Sequence, residues 1–365
     1  MAKKIDLVVG ARPNFMKAAP LLRELKKYPN EFQPRLVHTG QHYDPKMSKL
    51  FFDDLGMEPP DVFLGVGSGT HAEQTARIMV EYEKSIIADR PDLIVVFGDV
   101  NSTMAAAIVA AKLWIKIAHV EAGLRSFDNQ MPEEINRIVT DRLADYLFVT
   151  EESGLRNLQA EGVNSGRIFF TGNIMIDSLT ASLEACKKST VLNDLQLTPG
   201  NYVCMTLHRP SNVDNPARLR ELLEMVFQIA TQVPVVFPCH PRTKKEMGNL
   251  GMLDKLGSDK LKIVEPLGYL DFLRLQSSCK FVLTDSGGIQ EETTYLKVPC
   301  ITMRETTERP ITVDVGSNIL TGPHPTKVLE AVKQILDGKA KKGRIPDLWD
   351  GRTAERIREI LARVL

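Results

Sequence analysis

The chain has little cysteine and no paired cysteine motif. Its five cysteines, Cys186, Cys204, Cys239, Cys279 and Cys300, form an odd set without CxxC spacing, which argues against a zinc or redox site and for reduced thiols in a cytoplasmic protein. It has no HExxH sequence and no Cys/His cluster, so metal ligation is not expected. It lacks an excess of charge: 46 Lys plus Arg balance 46 Asp plus Glu, which argues against a nucleic-acid or membrane surface. No apolar run approaches the ~20 residues that span a bilayer, and the opening "MAKKIDLVVGARP" is too short in its apolar part for a signal peptide. The first strand is followed by "GARPNFMK" instead of GxGxxG, and the second ends "VHTG" without an acid for a ribose, so a nicotinamide site is not expected.

What is present is an alternation. Apolar runs at 5–9, 36–38, 93–97, 117–120, 146–149 and 168–170 are separated by helical periodicity at 15–27, 72–87, 102–113, 133–144 and 153–161. The second half repeats the scheme, with strands near 202–207, 233–237, 262–264, 280–284, 299–303 and 318–320 and helices between them. Short β-rich runs separated by helices predict parallel sheets covered on both faces. The fold class expected is therefore α/β: two Rossmann-like doubly wound domains facing a cleft. The expected boundaries are 1–172, joined by a terminal helix at 353–365, and 173–352. The polar stretch 185–201 is expected to be a linker.

Ligands of doubly wound sheets sit beyond the carboxyl ends of the strands, so the residues there carry the argument. "LTDSGGIQEE" runs from a strand into a helix. Gly287 and Gly288 let an anion approach the backbone, Ser286 adds a hydroxyl, and Glu292 lies about one turn on, within reach of ribose hydroxyls. The same residues would equally serve a capped helix start. Arg12 and Lys17 place two cations after the first strand. Asp99 follows the most apolar strand, Glu121 follows the next, and Glu133 and Glu134 open a helix that also carries Arg137. Either of the two adjacent glutamates is favoured there by the helix dipole alone. His208 and Arg209 follow the first strand of the second half, and His240 in "CHPR" has a structural reading.

The segments "GARPNFMK", "TGQHYD", "FGDVNST", "HVEAGLRS", "MPEEINR", "TLHRP", "DSGGIQEE" and "RETTERP" occur in an order that resembles the non-hydrolysing UDP-N-acetylglucosamine 2-epimerases, along nearly the whole chain. The resemblance implies a GT-B-like pair of domains with the last helix packed on the first. It implies interconversion of UDP-N-acetylglucosamine and UDP-N-acetylmannosamine, through elimination of UDP to 2-acetamidoglucal and re-addition, with no cofactor, in a homodimer serving polysaccharide biosynthesis. Asp99, Glu121, Glu133, His208 and Lys17 would be catalytic, and Arg137 would support the sugar site. Arg12, Ser286, Gly287, Gly288, Glu292 and Arg309 would bind UDP. Gln41, His42 and Arg209 would belong to an allosteric site. The chain departs from the family pattern GTRPE at Ala11 and Asn14, and from GHRREN at 207–212.

Overall fold

The short apolar runs form strands and the periodic stretches form helices, in a computed structural model that describes residues 1–41, 56–252 and 260–365. The elements begin with β1 (Lys3–Val9), α1 (Arg12–Lys26), β2 (Phe32–His38), β3 (Val62–Phe63), α2 (His71–Ala88), β4 (Leu93–Phe97) and α3 (Asn101–Lys112). They continue with β5 (Lys116–Ala122), α4 (Pro132–Leu143), β6 (Tyr146–Val149), α5 (Glu152–Ala160), β7 (Ile168–Phe170) and α6 (Ile174–Cys186). The next are α7 (Val191–Asp194), β8 (Val203–Met205), α8 (Pro210–Val213), α9 (Pro216–Gln232), β9 (Val235–Pro238) and α10 (Pro241–Asn249). The last are β10 (Leu261–Val264), α11 (Tyr269–Ser278), β11 (Phe281–Thr284), α12 (Gly287–Leu296), β12 (Cys300–Thr302), α13 (Pro310–Asp314), β13 (Asn318–Leu320), α14 (Pro325–Leu336) and α15 (Thr353–Val364).

Two units result. Met1–Ala181 with Asp347–Leu365 forms the first and Ser182–Pro346 the second. The first holds a seven-stranded sheet in the order β3-β2-β1-β4-β5-β6-β7, and the second a six-stranded sheet in the order β10-β9-β8-β11-β12-β13. All their strand pairs are parallel. Each sheet reverses direction once, between β1 and β4 in the first and between β8 and β11 in the second, and such a reversal opens a crevice at the strand ends.

Local chemistry explains individual elements. Thr70 and Glu73 cap α2 reciprocally: Glu73 N donates to Thr70 Oγ1 at 3.3 Å and Thr70 N to Glu73 Oε2 at 3.1 Å. The buried face of that helix is Gln74, Ile78, Tyr82 and Ile86, spaced four apart. Pro20 lies inside α1 and cannot donate to the Met16 carbonyl one turn back; the Ser178 hydroxyl of α6 donates to that carbonyl instead.

The unit boundary lies inside α6, at 181/182, whereas the sequence placed it at 172/173. The start of α6 is fastened to the first unit, because Asp177 accepts from the N–H groups of Thr353 (3.1 Å) and Ala354 (2.7 Å) at the start of α15. The segment 173–186 gave no amphipathic signal because Ile174–Leu179 is buried on every side. The expected linker 185–201 is also packed: Val191 and Leu192 are buried with Tyr202, Cys204 and Leu275. Asp347–Leu365 returns to the first unit, where the Trp349 indole donates to Thr150 O at 3.1 Å and the Arg358 guanidinium lies 4.4 Å from the Tyr28 ring centre.

Candidate active site

In the first unit the strand ends beside the reversal bring acids and cations together. Lys17, on α1, forms a buried ion pair with Glu121, at the end of β5. Lys17 also covers Gly98, where an added Cβ would lie 2.8 Å from its Nζ. Gly98 takes φ +61°, which is open to glycine without strain. Glu121 takes φ +75°, rare for a residue with a side chain, at an irregularity in the β5–β6 register between Val120 and Ala122. Such backbone costs on the order of 1–3 kcal/mol and is typical of functional sites, and nothing in the local sequence announces it.

Asp99, just beyond β4, is ion-paired with Arg137 of α4. Arg137 is also held by Glu134, at 2.5 Å from Nη2 and 2.9 Å from Nε. The structure separates the two adjacent glutamates. Glu134 is buried and accepts from Ser126 N and Phe127 N (3.0 and 2.9 Å). Burial raises its proton affinity, but these N–H groups and Arg137 outweigh that and hold its carboxyl below the usual range. Glu133 is half-buried in the first turn of α4, and among the described residues no hydrogen-bond or ion-pair partner engages it.

Asn14, the departure in the first motif, does structural work. Its carbonyl oxygen accepts from Gly10 N and Ala11 N, both at 3.1 Å, and its amide donates to Phe97 O at 2.8 Å, joining the start of α1 to the end of β4. Gln41 is buried, and its side-chain oxygen accepts from Ser102 N (3.0 Å) and Ser102 Oγ (2.7 Å) at the start of α3. His42 lies outside the described residues. Arg12 opens α1, and its side chain is likewise outside what the structure describes.

In the second unit the reversal brings "TLHRP" and "DSGG" together. Asp285 is fully buried. It accepts from His208 N (3.0 Å), Arg209 N (2.8 Å) and Asn212 Nδ2 (3.2 Å), and lies 2.9 Å from His208 Nδ1. Burial works against its charge, but the His208 ring and these N–H groups prevail and keep the carboxyl below its ordinary range. The His208 ring is thereby anchored through Nδ1, while its side chain stays 42% exposed.

The two glycines at the start of α12 have different reasons. A Cβ on Gly287 would lie 2.8 Å from Glu308 Oε1 and 3.1 Å from Arg309 Nη1, whereas one on Gly288 meets nothing within 4 Å. Packing within the chain explains the first and leaves the second as open space at a helix N-terminus. Ser286 makes no side-chain cap to α12, so its hydroxyl is not spent there. Glu292 is buried and accepts from Tyr269 OH at 3.1 Å.

Arg309, expected among the UDP ligands, lies beside Gly287 but is engaged by two buried carboxylates, Glu291 (2.8 Å) and Glu308 (2.5 Å). Arg304 binds the other oxygen of Glu308 at 2.8 Å, and the two guanidinium groups hold that acid far below the usual range despite its burial. Sequence reasoning missed this layer: Glu291, Arg304 and Glu308 carried no signal beyond their place in motifs, and only the fold puts them under Gly287. His240 caps α10, its Nδ1 accepting from Arg242 N at 3.2 Å. The five cysteines are buried thiols, and burial pushes Cys204 up to about 12 and Cys239 and Cys300 up to about 11. Among the described residues no cluster is arranged to hold a metal ion, and no helix is long and apolar enough to cross a membrane.

Comparison with known proteins meets this geometry. Residues 23–362 match the family model described as UDP-N-acetylglucosamine 2-epimerase. The chain is 44% identical, over 98% of both chains, to the UDP-N-acetylglucosamine 2-epimerase of Methanocaldococcus jannaschii. It is 38% identical to the UDP-2,3-diacetamido-2,3-dideoxy-D-glucuronate 2-epimerase of Pseudomonas aeruginosa, over 99% of this chain and 100% of the relative. Its fold is similar to the crystal structure of the M. jannaschii enzyme in complex with UDP-GlcNAc and UDP, with a TM-score of 0.91 and 99% of each chain covered.

Proposed function

The chain belongs to the UDP-N-acetylglucosamine 2-epimerase family, and we propose that it interconverts UDP-N-acetylglucosamine and UDP-N-acetylmannosamine without hydrolysis. The observation that carries this reading is the set of acids in the first unit. Asp99 and Glu121 sit at adjacent strand ends, each paired with a cation, and Glu133 on α4 has no side-chain partner among the described residues.

The chemistry requires several acids. The C2 proton of the sugar is not beside a carbonyl, so a base alone removes it poorly. As the C1–O bond to UDP breaks, its electron pair leaves with the phosphate, and cationic character at C1 acidifies C2–H. A carboxylate takes that proton, the C2–H electrons form the C1=C2 bond of 2-acetamidoglucal, and UDP departs. On return, a proton reaches C2 from the other face and a UDP oxygen closes on C1. Proton transfer on two faces needs more than one carboxyl group, and a third stabilises C1. Lys17 and Arg137 hold Glu121 and Asp99 in place for these steps.

The second unit is suited to the leaving group. The free N–H groups at the start of α12, the open space at Gly288 and the Ser286 hydroxyl receive the diphosphate, and Glu292 takes the ribose hydroxyls. His208, anchored through Nδ1, presents Nε2 to the phosphate as charge develops there. Arg12 adds a cation. Arg309 acts at one remove, holding Glu291 and Glu308 beneath Gly287. The buried thiols suit a cytoplasmic enzyme, and family resemblance supports a homodimer.

A second reading has its own support. The identity to the Pseudomonas relative, sustained over 99% of this chain, suits a related UDP-2-acetamido sugar as substrate. Chromatography of nucleotide sugars after incubation with each candidate tests both readings. Formation of UDP-N-acetylmannosamine with no growth of free UDP supports the first. Stoichiometric UDP and free N-acetylmannosamine would move the chain to the hydrolysing type.

A further inference from the structure

Beneath the acids of the first unit lies a buried hydrogen-bonded pair that the reaction scheme does not use. His119, on β5, is fully buried. Its Nδ1 lies 2.6 Å from Asp141 Oδ1 and its Nε2 lies 2.8 Å from the Gly98 carbonyl oxygen. A carbonyl oxygen only accepts, so Nε2 carries a proton. Asp141 is an acceptor as well: its other oxygen receives Arg125 Nη1 at 2.7 Å and Gly123 N at 3.0 Å. Both ring nitrogens are therefore engaged, Nε2 donating to Gly98 O and Nδ1 sharing a hydrogen bond with Asp141. The neighbouring charges are those of Asp141, Arg125 and Glu161, the last held by Arg125 at 2.7 Å.

The places this pair touches are informative. Gly98 directly precedes Asp99, and its N–H already donates to Val120 O at 3.0 Å, so His119 fastens the other side of the same residue. Gly123 lies two residues beyond Glu121, on the far side of its strained backbone. It has φ +79° and is so close to Gly154 that a Cβ would fall 2.5 Å from that carbonyl oxygen. One buried pair thus grips both acid-bearing turns, Gly98–Asp99 through His119 and Glu121–Gly123 through Asp141.

We infer that His119 and Asp141 are positioning residues: a buried histidine–carboxylate brace that sets the distance and orientation of Asp99 and Glu121 for proton transfer at C2. The inference rests on the epimerase reading, because it takes those two acids as the reacting groups. It predicts more than a stability role. Displacing a reacting group by about an ångström costs up to ~100-fold in rate.

The test pairs two substitutions. His119→Asn retains a donor for Asp141 but does not reach the Gly98 carbonyl. His119→Gln places an amide where Nε2 lies and restores that bond. The brace predicts that His119→Asn lowers kcat about 10- to 100-fold, that His119→Gln recovers at least half of that loss on a logarithmic scale, and that UDP affinity stays within about twofold in both. Wild-type kcat in folded His119→Asn overturns the inference. So does equal loss of kcat and of thermal midpoint in the two variants, since it marks a structural role only. Should neither variant fold, 15N-histidine spectra of the wild-type protein decide: one ring whose Nε2 carries a slowly exchanging proton supports the brace, and its absence overturns it. A wild-type protein that folds but epimerises no UDP-2-acetamido sugar breaks the proposed function, and the same spectra still decide the state of His119.

Discussion

The two units share one strand order and differ in what it leaves at the reversal. Each sheet reverses at the same point, between β1 and β4 in one and between β8 and β11 in the other. At the first reversal the strand ends carry carboxylates, each tied to a cation, with Glu121 on strained backbone. At the second, Asp285 is buried and accepts from the N–H groups of His208 and Arg209, while Gly288, with open space beside it, stands at a helix start. Under the proposed function, the strand ends of the first unit transfer protons and the helix start of the second receives an anion.

That contrast is broken most sharply at the acids. Asp99→Asn, Glu121→Gln and Glu133→Gln should each cut turnover by ~10²–10⁴-fold, the usual worth of a positioned acid or base, while calorimetry finds UDP binding within about twofold of wild type. Loss of UDP affinity in these variants would place nucleotide recognition in the first unit and erase the division of labour.

The reciprocal changes are smaller. Ser286→Ala and Glu292→Ala should each weaken UDP binding by about 1–3 kcal/mol through lost hydrogen bonds to charged or ribose oxygens. Unaltered affinity in both would return "DSGG" to the role of a plain helix start.

The paired glycines sharpen the comparison further. Gly287→Ala drives a methyl against the Glu308–Arg309 layer and should lower stability by about 1–3 kcal/mol, read as a drop in urea midpoint. Gly288→Ala has open space and should change stability by no more than about 0.5 kcal/mol while weakening UDP. Equal destabilisation by both would show that Gly288, too, is a packing residue.

The smallest effect is electrostatic. The Asp285 carboxyl sits below its unfolded value of 3.8, so it contributes stability that is present above that pH and is lost as pH falls through the lower folded value. Stability of the wild-type protein should therefore decline below about pH 4, and Asp285→Asn should flatten that decline. Thermal midpoints from pH 2 to 6 read it, and parallel slopes in the two proteins would assign the acid limb elsewhere.

Much of this was legible in sequence because strand ends are. An apolar run that stops at Asp99, Glu121, His208 or Asp285 marks the residue as sitting where doubly wound sheets hold ligands, and the helices at 102–113 and 133–144 follow from ordinary periodicity. What was illegible depends on pairing across the chain. Glu133 and Glu134 look alike until α4 turns one towards Ser126 and Arg137. Arg309 looks like a free cation until Glu291 and Glu308 close on it. Helix α6 escaped notice because it is buried all round and shows no stripe, and the 185–201 segment looked like a linker because its few apolar residues are spaced to dock rather than to repeat. The strain at Glu121 and the His119–Asp141 brace belong to the fold alone.

The central claim is that the acids of the first unit move a proton at C2 while UDP leaves and returns. Proton NMR of the protein with UDP-N-acetylglucosamine in heavy water tests it most directly. The account predicts both epimers, each with the C2 hydrogen replaced by deuterium, and no accumulation of free sugar. Epimers that keep the original C2 hydrogen would contradict it.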